Sequence, residues 1–242
     1  MKGIGHRVYL FLRQVLKKIK SGILTKQSYL CGVEKRNLRY MFRTNLPPVV
    51  KNILIINIIV FLLDKIFTGL GYEYTQWLAL FTPNTGYFRP FQLITHMFMH
   101  AGFGHIFFNM FGLIVFGRVI ESVWGSKRMF ILFFISGLGA AGLQLLVYIV
   151  TDMTAVMVGA SGALFGLLAA FALLFPNVEL MLIFLPIPIK AKYLVPAFAI
   201  LSLFFGVANF SGDNIAHFAH LGGAIFGFFI ALYWKKNQFR IN

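Results

Sequence analysis

Six apolar runs, parted by short polar or proline-marked breaks, fill most of the chain between Val50 and Trp234. Few architectures can absorb such a pattern. A helix needs about 20 apolar residues to cross the hydrocarbon of a bilayer, and the runs fall at roughly 50–67, 104–120, 129–150, 161–175, 193–207 and 215–234. The first is interrupted by Asn52, Asn57, Asp64 and Lys65. The fourth and fifth are short, which a tilted helix or a thinned bilayer tolerates. The stretch VELMLIFLPIPIKAK, 178–192, is apolar but broken by Pro186 and Pro188, so it reads as a connection at the membrane surface. Charged residues make up 12% of the chain and hydrophobic ones 59%, against about 25% charged in soluble domains. The expected fold class is an all-α polytopic membrane protein with one membrane domain.

The charge pattern orients this domain. A net charge of +15 suggests nucleic acid at first sight, but 12 of the 22 Lys and Arg lie at or before Lys51, ahead of the first run. Basic flanks of membrane spans mark the cytoplasmic side and are drawn to anionic lipid. With the N-terminus inside, 20 basic residues fall on the cytoplasmic side and only Lys65 and Arg89 on the other. Six spans with both termini cytoplasmic are therefore expected, in the cytoplasmic membrane of a bacterium, with membrane lipid rather than nucleic acid as the partner. Residues 1–48 form a basic region in which Val8, Phe11, Leu12, Val15, Leu16 and Ile19 recur at helical spacing, which suits either a helix lying on a membrane surface or a partly ordered basic tail. The membrane domain is expected over 49–235, followed by a short tail, 236–242. Cys31 is the only cysteine, which excludes an intrachain disulfide and a cysteine-built metal cage. The first residues carry no signal-peptide pattern.

In this topology the second, fourth and sixth runs begin at the outer face. The unusual polar residues stand in their first turns: His105 and Asn109, Ser161, and His217 and His220. Polar groups within a membrane domain face the protein interior or a water-filled cavity. His105 and Asn109, four apart, share a helix face. Ser161 heads its helix, where unpaired backbone N–H groups favour developing negative charge. Asp213 or Asn214 would cap the helix of His220, placing that histidine about 9 Å in from Asn214. Gly162 and Gly166 on one helix, and Ala219, Gly223 and Gly227 on the other, form small-residue stripes that permit close helix approach. If these faces pack, Ser161 meets His220, and an imidazole can take the proton that makes a serine hydroxyl nucleophilic. Asn109, His105 and the Ser161 N–H would then serve an oxyanion.

These elements resemble the rhomboid intramembrane serine proteases. HAGFGHIFFNM, 100–110, resembles the family's H-x-x-x-N element through His105 and Asn109. GASG, 159–162, resembles its nucleophile motif, and AHLGGAIFG, 219–227, the helix of its catalytic histidine. FRPFQLITHMFMH, 88–100, is similar to the end of the family's first loop, with Phe88-Arg89 where a Trp-Arg pair is usual. The resemblance implies a six-transmembrane-helix rhomboid-like bundle. It implies Ser161 as nucleophile, His220 as general base, Asn109 and His105 at the oxyanion, and Gly162 permitting close helix approach. Glu121 would be structural, and His96 and His100 would pack and hydrogen-bond the first loop. The substrates implied are single-span membrane proteins cut at or near the outer end of the span, after a small residue; no cofactor or metal is implied.

Rival readings meet specific objections. Inactive rhomboid-like proteins that only bind membrane helices usually lack the serine or the histidine, and both are present. A membrane metalloenzyme finds candidate ligand pairs in His96 with His100 and His217 with His220. It lacks an H-E-x-x-H and the histidine number of desaturase-like sites. Transporters favour midplane ligands on broken helices, whereas these polar groups gather at one face. No acid sits mid-span for an aspartyl protease.

Overall fold

The computed structural model describes residues 45–73, 75–181, 187–208 and 216–237. The amphipathic helix expected within 1–48 and the capping residues Asp213 and Asn214 fall outside this range. Helix α1 spans Pro48–Gly69 and α2 Phe103–Gly112; α2 runs through a π-helical turn, Leu113–Gly117, into α3, Arg118–Val150. Helices α4 (Ser161–Leu174), α5 (Ala191–Ala208) and α6 (His217–Asn237) follow. Among the described residues, three helical stretches, Phe103–Val150, Ala191–Ala208 and His217–Asn237, are long and apolar enough to cross a membrane.

The second apolar run does not stop at Ile120. Helix continues through residue 124, and the chain reverses at Gly125, with φ 80° and ψ 167°. Arg118 lies within this helix. Around this reversal Glu121 accepts the backbone N–H groups of Val49 at 3.0 Å and Val50 at 2.9 Å, and the Ser126 hydroxyl at 2.7 Å. A carboxylate on one segment thus satisfies the orphan donors in the first turn of α1. The same end of the bundle holds the edge-on pair Trp124–Trp234, with the Arg128 guanidinium over the Trp234 ring.

Helix α6 is the hub, packed against α3 and α4. Methyl groups at Gly223 and Gly227 would strike the backbone of Gly162 and Gly166, so the two backbones touch directly. Across the other face of α6, a methyl at Gly222 would come within 2.7 Å of the Gly139 carbonyl on α3. The main apolar core, with Phe133, Leu167 and Phe171 fully buried, lies between these helices. The apolar connection after α4 carries a two-residue ladder, β3 (Glu179–Leu180) with β4 (Ile189–Lys190), in place of a helix at either end. Helix α5 tolerates Pro196 in its interior.

Between α1 and α2 the chain makes one helical turn at Thr75–Leu78, strand β1 (Leu80–Phe81), a second turn at Gln92–Thr95 and a 3-10 turn at His96–Phe98. Strand β1 pairs antiparallel with β2, Val156–Met157, just ahead of α4. Gln92, fully buried, organises this segment. Its carboxamide oxygen accepts from the Arg89 N–H at 3.0 Å, and its nitrogen donates to the carbonyls of Gln76 and Tyr87, each at 3.1 Å. Arg89 folds back onto the carbonyls of Gly86 and Phe88, closing its own turn.

Candidate active site

A cavity of about 430 Å³ opens where the first turns of α2, α4 and α6 converge. Ser161, His220, His105 and His96 are all in its wall. The imidazole Nε2 of His220 stands 2.9 Å from the Ser161 hydroxyl oxygen. That distance fits a hydrogen bond with the serine donating to the ring nitrogen. Two elements hold the histidine. Phe165, one turn along α4 from Ser161, stacks on the ring with centroids 4.3 Å apart and planes only 4° from parallel. Gln144, buried on α3, accepts the backbone N–H of Ala219 at 2.9 Å, immediately before His220. Helix α6 begins at His217, so His220 lies three residues in, about 4.5 Å, rather than the 9 Å read from the sequence.

On the serine side, the chain enters α4 through Gly159 with φ +119°. A side chain there would be strained, and its first carbon would come within 2.7 Å of the His105 ring. Glycine is what lets His105 lie against the serine loop. The Gly159 N–H donates to the His96 carbonyl at 2.8 Å, and His96 Nδ1 donates to the Gln92 carbonyl at 2.8 Å. Burial lowers His96 to about 4, opposed by its bonds to the Gln92 and Leu93 carbonyls. His100 is also lowered to about 4, by burial first and then by neighbouring His105, whose ring meets its own edge-on at 5.0 Å. His96 bonds the first-loop segment, and His100 is buried beside it.

Asn109 is placed differently from His105. It is buried one turn further into α2, outside the cavity wall, and its amide donates to the His105 carbonyl at 2.8 Å. The serine at the head of α4 leaves the N–H groups of the first turn without helical partners. Gly162 lines the cavity, and Gly166, Gly223 and Gly227 form the contact below it. His217 lies beside His220 with ring centroids 6.3 Å apart. Among the described residues, no three His, Cys, Asp or Glu side chains gather as a metal site.

Phe165, Gln144 and Gln92 have no signature at the level of sequence spacing. The one available signal is polarity: Gln144 is the lone amide in the apolar run of α3, and a polar group there needs a partner.

Fold and site together define a helical membrane protein with a serine–histidine pair in a cavity at one end of its bundle. The chain belongs to the rhomboid family: the rhomboid domain matches residues 87–237. It is similar to rhomboid-like protein 11, chloroplastic, of Arabidopsis thaliana, at 29% identity over 199 residues, which is 77% of this chain and 65% of that protein. It is similar to YdcA, a rhomboid protein of Bacillus subtilis (strain 168), at 33% identity over 58% of this chain and 65% of that one. Rhomboid protein 1, mitochondrial, of Saccharomyces cerevisiae is 32% identical over 60% of this chain and 42% of its own length. The chain thus spans about two fifths to just under two thirds of these relatives.

Proposed function

We propose that this rhomboid is an intramembrane serine endopeptidase that hydrolyses a peptide bond in or near the transmembrane segment of single-span membrane proteins. The observation that carries the reading is the 2.9 Å approach of His220 Nε2 to the Ser161 hydroxyl on a cavity wall. In the first half-reaction the Ser161 oxygen bonds to the scissile carbonyl carbon while its proton passes to His220 Nε2. The C–N bond then breaks, and the departing amine takes the proton from His220. In the second, water attacks the ester and gives its proton to His220. The C–O bond to Ser161 breaks, and the serine oxygen recovers the proton. The N–H groups at the head of α4 face the developing oxyanion, assisted by His105 and, from one turn behind, Asn109.

The 20-to-2 distribution of basic residues supports six spans, with both termini on the cytoplasmic side of a bacterial membrane. The cavity then opens at the outer face, where water reaches the ester. A bond cut there must leave the substrate helix first, because a helix holds its carbonyls in hydrogen bonds.

The test is cleavage of a membrane-anchored reporter in cells, with Ser161→Ala and His220→Ala beside the wild type. Loss of cleavage in both variants, with normal accumulation in the membrane, is the expected outcome. Wild-type cleavage by either removes the pair from the mechanism. No cleavage by the wild type itself across a broad substrate set favours a helix-binding relative without activity.

A further inference from the structure

Asp64 is a buried charge that the proton transfers at Ser161 leave unused. It lies on α1, inside the first apolar run, and is 3% exposed. An acid within a membrane domain is costly and marks a contact that needs it. Nothing within α1 calls for it: aspartate is a weak helix former, and negative charge gains nothing toward a helix C-terminus. Its two oxygens have separate partners. Oδ2 meets the Lys65 ammonium at 3.0 Å, and that lysine side chain is 47% exposed, so the pair reaches out from the buried carboxylate. Oδ1 accepts the Thr75 hydroxyl at 3.1 Å.

Thr75 is the first residue of the one-turn helix Thr75–Leu78. That turn is bonded to the next one. The Gln76 carbonyl accepts the Gln92 amide at 3.1 Å, and the Leu78 carbonyl accepts the Thr95 hydroxyl at 2.8 Å. Gln92–Thr95 runs directly into the His96–Phe98 turn, which packs on α1 and whose His96 carbonyl holds the Gly159 N–H. Isolated helices below about 12–15 residues are marginal, so single turns take their position from their anchors. A hydrogen bond to an ionised acceptor is among the stronger anchors a side chain can offer.

We propose that Asp64 is a positioning residue for Ser161. By bonding the Thr75–Leu78 turn to α1, it sets where the segment up to Phe98 sits, and the His96–Gly159 bond carries that placement to the chain that enters α4. The effect on catalysis rests on the endopeptidase reading above.

The experiment uses the full chain in liposomes, with Asp64→Leu, Thr75→Val, Thr75→Ser and the double variant Asp64→Leu/Thr75→Val. Two quantities are read: the rate at which a fluorophosphonate labels Ser161, and amide hydrogen exchange at Gly159 and within α4 and α6. Thr75→Val and Asp64→Leu should each speed exchange at Gly159 by about 10-fold or more, the equilibrium worth of a hydrogen bond to a charged group. Labelling should slow by about 10-fold, short of the roughly 10²-fold cost of a full 1 Å misplacement. Thr75→Ser keeps the hydroxyl and should match the wild type. The double variant should be no slower than Asp64→Leu alone, because both changes remove one contact. Wild-type labelling and exchange in Asp64→Leu and Thr75→Val would overturn the proposal. So would effects that multiply in the double variant, or an equal loss of protection throughout α4 and α6, which marks general destabilisation. An Asp64→Leu protein that fails to fold leaves the decision to Thr75→Val against Thr75→Ser. If the wild type itself is not labelled, the endopeptidase reading falls and the positioning role with it, an outcome distinct from a labelled wild type with unaffected variants.

Discussion

The contact between α4 and α6 and the segment from Thr75 to Phe98 both border the cavity, and they are built in opposite ways. The helix contact is glycine on glycine, backbone against backbone, with no side chain between to yield. The outer segment is a mesh of polar bonds around Gln92 and His96, closed by a two-residue ladder to β2. Helices in lipid gain little from apolar contact alone, so close packing must supply what water would otherwise drive. A non-helical backbone, in contrast, must find partners for its polar groups in side chains and in neighbouring backbone. Substitutions and solvent conditions should therefore strike the two regions selectively.

The largest effect is expected at Gly223. A methyl there meets the Gly162 carbonyl and has no flexible neighbour to push aside. Gly223→Ala should cost stability at the upper end of the roughly 1–3 kcal/mol range for overpacking, read as thermal unfolding in detergent. Because the contact lies beside the Ser161–His220 pair, turnover should fall about 10²-fold, the penalty of a displacement near 1 Å. A protein of unchanged stability and activity would show that the backbones are not in contact.

Acid should act on the outer segment instead. His96 is held neutral in place, at about 4, and returns to its ordinary 6.5 when the segment opens to water. The open state then binds more protons, so the closed state is favoured fully above pH 6.5 and loses that advantage as pH falls toward 4. The shift corresponds to a weakening on the order of 3 kcal/mol across that window. Amide hydrogen exchange at residues 92–98, measured from pH 7 to pH 4 and corrected for intrinsic rate, should lose protection, while α4 and α6 keep theirs. Equal loss in both regions would mean that they open together.

The smallest effect sharpens the contrast from the other side. Gly142, on α3, has open space where a side chain would start. Gly142→Ala should be neutral or stabilise by about 0.5–1 kcal/mol through helix propensity alone. The same substitution thus carries opposite signs at 142 and 223. Destabilisation at both would point to a general intolerance of the bundle rather than to one touching pair.

How much of this could be read in advance depends on the range of the contact. Ser161, His220 and the glycines around them were legible because each sits in a local pattern: a serine heading an apolar helix, or small residues four apart. The helix lengths followed from apolar runs. The break between the second and third runs, 121–128, brackets the reversal at Gly125; that helix persists to residue 124 and turns on this one glycine was not legible, since a single glycine carries no loop signature. Phe165 and Gln144 were hidden for a different reason. An aromatic in an apolar helix looks like any core residue, and a lone amide shows only that it needs a partner. Their roles come from what faces them across the bundle, 55 residues along the chain for Phe165 and 75 for Gln144. Asn109 shows the limit of facial reasoning: it shares the His105 face yet stands a turn too deep to line the cavity.

The bond from the Gly159 N–H to the His96 carbonyl lies two residues ahead of Ser161. Together with the β1–β2 ladder it ties the chain that carries the nucleophile to the Thr75–Phe98 segment, so the position of Ser161 depends on that segment as well as on the glycine contact between α4 and α6.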